Sequence, residues 1–149
     1  MEFYDPTTAP DVFDIVWCKW PRREDKLGPG PWVRAVLVLD VRLMVDSQNE
    51  NEWAAVTAAY GTGAENVKAE HFKGNLLITA AECGLLGLHK ATVFKLDPGS
   101  RKRLPWAEDY FVPQGYVLNQ GIVAGSLSAG QQTIVKACLK ERGLAFPLP

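Results

Sequence analysis

Four cations gather between residues 22 and 34: Arg22, Arg23 and Lys26 inside a Gly/Pro-punctuated loop, and Arg34 at its end. Arg34 runs straight into Ala35-Val-Leu-Val-Leu39. A rigid strand that delivers an arginine from the mouth of a basic loop can grip phosphate, because the guanidinium fork matches two phosphate oxygens at once. The same residues also fit plain solvated charges at a strand start, and their types alone leave both readings open. Further along, His89 stands beside Lys90 and Thr92, and Lys95 precedes the run Arg101-Lys102-Arg103. Trp20, Trp32, Trp106 and Tyr110 are interleaved with these cations. Such rings either stack on unpaired bases or pack the ends of a barrel. As a set, cations with aromatics at loop junctions point to single-stranded nucleic acid.

Other chemistry is thinly represented. The signatures GxSxG, HExxH, Walker A and paired CxxC are absent from the sequence, and Tyr60-Gly-Thr-Gly63 is too short for a dinucleotide fingerprint. Glu65, Glu70 and His71 share a polar loop and read as solvent-exposed. Cys18, Cys83 and Cys138 are odd in number and widely spaced. Neither a zinc site nor a disulfide framework is indicated, so reduced, mostly buried thiols in a cytoplasmic protein are expected, with no cofactor and no metal. A net charge of −1 supplies no global field to recruit nucleic acid. Anion binding must therefore come from a local patch. No apolar run approaches the roughly 18 residues of a membrane-spanning helix, and the N-terminus has neither the basic nor the apolar region of a secretory signal.

The elements that must position these residues are mostly strands. With 149 residues, 47% of them hydrophobic, the chain reads as one domain with a sizeable core. Residues 1–12, carrying Pro6 and Pro10, look like a flexible lead-in. Asp14–Trp20 is a strand stopped by Pro21, and Arg34 to about Val45 is a long strand covered on both faces. Trp53–Tyr60 suits helix or strand by propensity; lying between strands, it is expected to be the third, ended by Gly61 and Gly63. Asn75–Thr79 and His89–Leu96 follow as strands, with a turn or short helix at 80–84. Ser128 and Gln131 have the form of a capping box ahead of Ile134, Val135, Cys138 and Leu139 at helical spacing. The pattern predicts a mainly β protein with minor α: a small, highly curved barrel at 13–112 and a C-terminal extension at 113–149, whose amphipathic helix covers about 128–142.

The order of segments resembles the PemK/MazF family of bacterial toxins. The matching stretches are Asp14-Ile-Val-Trp17, the basic loop, Arg34-Ala-Val-Leu-Val-Leu39, Ala59-Tyr-Gly-Thr62, Gly87-Leu-His-Lys-Ala-Thr92-Val-Phe94 and Arg103-Leu-Pro-Trp106. Together they span about residues 12–106. The chain departs from the family pattern at Phe13, where a Gly usually precedes the strand, at Ala35 in place of Pro, and at Tyr60-Gly-Thr-Gly63 in place of Thr-Thr/Ser-Gln. The resemblance implies an SH3-like, CcdB/PemK-type barrel acting as a metal-independent endoribonuclease (an mRNA interferase) on single-stranded RNA through a 2′,3′-cyclic phosphate. The catalytic residues would be Arg34, which would stabilise the phosphorane or assist proton transfer, and Thr62, in the segment that supplies the family's catalytic Thr/Ser, which would hydrogen-bond the phosphate. Arg22, Arg23, Lys26, His89, Lys90 and Thr92 would contact RNA. The implied partners are a small antitoxin and a second copy of the chain. Two alternatives use the same scaffold: a non-catalytic module binding RNA or protein, and a gyrase-directed toxin.

Overall fold

Ala35–Leu39 is buried on both faces of a sheet, as an unbroken β-branched and apolar run requires. Leu37 and Leu39 enter one core, and Val36 and Val38 the other. The structure, a computed structural model, describes residues 1–21, 28–114 and 121–149. Arg22, Arg23 and Lys26 lie outside the described residues.

Within the described residues the strands are β1 (Asp14–Lys19), β2 (Val33–Val45), β3 (Glu52–Gly63), β4 (Leu76–Ile78), β5 (Thr92–Phe94), β6 (Arg101–Pro105) and β7 (Val123–Ser126). The helices are α1 (Ala80–Cys83) and α2 (Ala129–Glu141). One antiparallel sheet runs in the order β4-β5-β3-β2-β1-β7. The far edge of β3 is shared, Ala55–Ala59 pairing with β6 and Gly61–Gly63 with β5. This fork, and a register shift in β2 between Val38 and Asp40, curl the sheet into a half-barrel. The protein is therefore mainly β with minor α, consistent with the small barrel expected.

On one face, Ile15, Trp17, Leu37, Phe94 and Leu96 pack with Val135 and Leu139 of α2. On the other, Val16, Val36, Val38, Val56, Ala58 and Leu104 pack with Trp106 and Phe111. The segment set apart as an extension thus supplies both a strand beside β1 and a helix that closes one core. Ser128 caps α2 through the expected capping box, but the inward stripe is Val135 and Leu139, with Ile134 exposed.

Other elements differ from the sequence reading. The N-terminal segment, expected to be loose, is anchored. Phe3 bridges to Ala107, Tyr4 Oη donates to the Phe111 carbonyl at 2.7 Å, and Trp106 Nε1 donates to Thr8 Oγ1 at 3.1 Å. β3 does not end at Tyr60 but runs through both glycines to Gly63. Gly61 lies so close to β2 that a Cβ there would stand 2.4 Å from the Ala35 carbonyl oxygen. Only a residue without a side chain lets the strand pass. β5 is confined to Thr92–Phe94, so His89 and Lys90 occupy a bend ahead of it. Arg101–Arg103 is part of a strand, β6, paired with β3. Phe13 takes φ 75°, the left-handed region that favours glycine. It holds this conformation while burying its ring and linking β2 to the residue that follows β7, its N–H donating to the Val38 carbonyl and its carbonyl accepting from Leu127 N.

Candidate phosphate and base site

Three strands change character at the same end and on the same face of the sheet. In β2 the inward row Val38, Val36 continues to Arg34; in β3 Ala58 is followed by Tyr60; in β6 Leu104 is preceded by Lys102. Side chains two residues apart share a face, so the apolar row of the core becomes a row of cations and one phenol. Strand pairing fixes their lateral order, with Val36 opposite Tyr60 and Lys102 opposite Ala58. Lys95, just beyond β5, is brought alongside by its own N–H, which donates to the Tyr60 carbonyl at 2.8 Å.

These side chains line a cavity of about 430 Å³ together with Trp20, Trp32, Asp97 and Ser100. The guanidinium of Arg34 stands over the Tyr60 ring, 5.2 Å from its centroid. Such stacking holds the cation in place and leaves its in-plane N–H groups available to an anion. Trp20 packs against Tyr60 at 5.8 Å, tilted by 49°. Trp32 stands 65% exposed beside them, a large aromatic surface left in water at the rim. The loop end is tied down by Gly30 N donating to the Lys19 carbonyl at 3.1 Å. Also in the lining, Asp97 accepts from Ser100 Oγ at 3.1 Å, at the turn that returns the chain into β6.

Arg34, Lys95 and Lys102 take part in none of the ion pairs among the described residues, which are Arg42–Asp40, His71–Glu70 and Lys90–Glu65. All three are half-buried, so bulk water screens them incompletely. Positive charge in a concave, partly dry site concentrates the field and attracts anions. Ringed by indoles and a phenol, the cavity suits a ligand that carries both phosphate and an aromatic base.

The remaining predicted residues form a second cluster. Thr62 sits two residues past Tyr60, about 7 Å further along the strand. It lies outside the cavity lining, and its hydroxyl accepts from Asn66 Nδ2 at 3.5 Å. Lys90 Nζ donates to Glu65 at 2.6 Å. That hydrogen bond is the main reason the Glu65 carboxyl is held below its ordinary range, with a smaller contribution from the charge of His89. His89 and Lys90 are exposed. Thr92 is buried, and its hydroxyl donates to the Lys90 carbonyl at 3.1 Å, so it shapes the bend. The structure thus brings Arg34 together with Tyr60, Lys95 and Lys102, and Thr62 together with Asn66, near Glu65 and Lys90.

Lys95 and Lys102 belong to the basic set read from the sequence without a role assigned to either, and Tyr60 is not in that set. Their signal was Asp97-Pro98-Gly99, a turn flanked by Lys95 and Lys102 that returns the chain toward the same neighbouring strand. Among the described residues no group of three or more His, Cys, Asp or Glu stands close enough to hold a metal ion. Nor is any helix among them long and apolar enough to cross a membrane. The three cysteines are free thiols. No protein-family model, curated protein or solved structure matches this chain.

Proposed function

We propose that this protein is a toxin-type endoribonuclease that cleaves single-stranded RNA without a metal. The observation that carries the reading is the convergence of Arg34, Lys95 and Lys102 with Tyr60, Trp20 and Trp32 on one cavity. The order of sequence segments supports it. So does Phe13, whose φ of 75° is the conformation that the glycine usual at this position of the family pattern adopts freely. The ribose 2′-oxygen attacks the adjacent phosphorus as its proton passes to a base. The bond to the 5′-oxygen breaks, that oxygen takes up a proton, and a 2′,3′-cyclic phosphate remains. Arg34 offsets the charge that builds on the phosphorane, and Thr62 bonds a phosphate oxygen of the strand as it leaves the cavity. The same reading includes a cytoplasmic homodimer and a small antitoxin that covers the RNA groove.

The test is incubation of the purified chain with a varied single-stranded RNA pool in EDTA, with termini identified by mass spectrometry. Cleavage leaving 2′,3′-cyclic phosphates, lost in Arg34→Ala, is expected; an intact pool refutes the nuclease. One observation favours a second reading, an RNA-binding module without cleavage: Thr62 lies outside the cavity lining that holds Arg34. Salt-sensitive RNA binding with no product would select it.

A further inference from the structure

We infer that Lys95 and Lys102 complete, with Arg34, a seat for a single phosphate, and that the cavity takes one nucleotide unit with its base against Trp32. A free nucleoside monophosphate is then a ligand in its own right. The inference rests on the RNA reading for its choice of ligand class, but its geometry is independent of any cleavage chemistry.

Each cation comes from a different segment, and each is held by β3. The Arg34 guanidinium lies over Tyr60, the Lys95 backbone donates to the Tyr60 carbonyl, and Lys102 pairs with Ala58 in the ladder. One strand therefore anchors the Arg34 guanidinium and the backbones of both lysines beside the same cavity. The fork of Arg34 can grip two oxygens while the two ammonium groups act as point charges on the others.

Among the described lining residues Asp97 is the one carboxylate, and Ser100 holds it. It offsets one of the three positive charges of the described lining, which suits one phosphate better than a polyphosphate chain. A volume of about 430 Å³ falls within the roughly 300–1,000 Å³ of small-molecule sites. The exposed indole of Trp32 at the rim is the free ring surface, since Tyr60 is already engaged by Arg34 and by Trp20.

The experiment titrates the full chain with 5′-AMP, adenosine, inorganic phosphate and ATP, read by calorimetry and tryptophan fluorescence. AMP is expected to bind, to quench tryptophan, and to weaken as salt rises. Adenosine and phosphate alone are each expected to bind about tenfold more weakly or worse, and ATP no better than AMP. Lys95→Ala and Lys102→Ala should each weaken AMP about tenfold. Lys95→Arg and Lys102→Arg should recover most of that loss, and Lys140→Ala, on exposed helix surface, should change nothing. Trp32→Ala should remove most of the quench. AMP binding no tighter than adenosine, or alanine variants that bind AMP like the parent, would overturn the seat. RNA cleavage without AMP binding removes the seat and leaves the nuclease. AMP binding with the expected lysine dependence, beside an intact RNA pool, keeps the seat and removes the nuclease.

Discussion

Replacing Gly61 with alanine tests how the site is held, because Gly61 separates Tyr60 from Thr62 where β3 leaves no room for a side chain beside the Ala35 backbone of β2. A Cβ there would stand 2.4 Å from the Ala35 carbonyl oxygen and 2.8 Å from Cε1 of Phe94. Real contacts of this kind essentially never fall below 3.0 Å, so the strands must part by at least about 0.6 Å. The Ala35 oxygen is backbone and Phe94 is fully buried, so neither can swing aside. Overpacking of this sort costs about 1–3 kcal/mol. The loss of unfolded-state freedom on going from Gly to Ala returns about 0.4–1 kcal/mol at most. The net is a destabilisation of about 1–2 kcal/mol, a fall in Tm of roughly 3–8 °C for a chain of this size. Gly84 is the control: it has helical φ −62° and ψ −37°, and nothing within 4 Å of a Cβ. Gly84→Ala should leave Tm unchanged or raise it slightly. The assay is differential scanning calorimetry of both variants beside the parent. If Gly61→Ala melts within about 1 °C of the parent, or if the two variants shift together, the close crossing of β2 and β3 is wrong.

Three further outcomes follow from other parts of the fold. Ser128→Ala removes the hydroxyl that accepts from Gln131 N at 3.2 Å, and should cost about 1 kcal/mol by urea unfolding; no change would deny that the capping box stabilises α2. The Glu82 carboxylate accepts from Thr79 N, Thr79 Oγ1 and Gln131 Nε2, and these bonds, that from Thr79 N foremost, hold its pKa below the ordinary 4.5. Its contribution is therefore complete above that value and lost as pH falls through the lower folded pKa, so Glu82→Gln should destabilise more at neutral pH than at about pH 3; equal losses at both would refute the linkage. Burial pushes the Cys18 thiol well above its ordinary range, and Cys83 is also buried, whereas Cys138 is half-exposed. A thiol reagent on the native protein should label Cys138 first and the other two only on unfolding, and uniform labelling of all three would contradict the packing.

Local signals carried much of the fold. β1, β2 and α2 were legible because their cues lie within the segment itself: an apolar run stopped by Pro21, a β-branched run ahead of a polar turn, and Ser128 three residues before Gln131. The arginine at the start of β2 was legible for the same reason. Where a local rule failed, a distant partner had overruled it. Gly61 and Gly63 read as breakers, yet β3 runs through them because Ala35 and Phe94 leave no space for a side chain at Gly61. Phe13 accepts a left-handed backbone while its ring is buried beside Phe146 and its backbone bonds tie Val38 of β2 to Leu127, just past β7.

Residue types and their order by themselves determined a mainly β chain in which Arg34 enters a buried strand beside aromatic residues. Which side chains Arg34 meets was decided only in three dimensions. Tyr60, Lys95 and Lys102 lie from 26 to 68 positions away in sequence, and antiparallel pairing with β3 brings them onto one face. Thr62 follows Tyr60 on the same strand, but the fork of β3 toward β5 carries it to Asn66 instead of the cavity. The reason is physical: period-two alternation says which residues share a face, while register and curl say which faces meet.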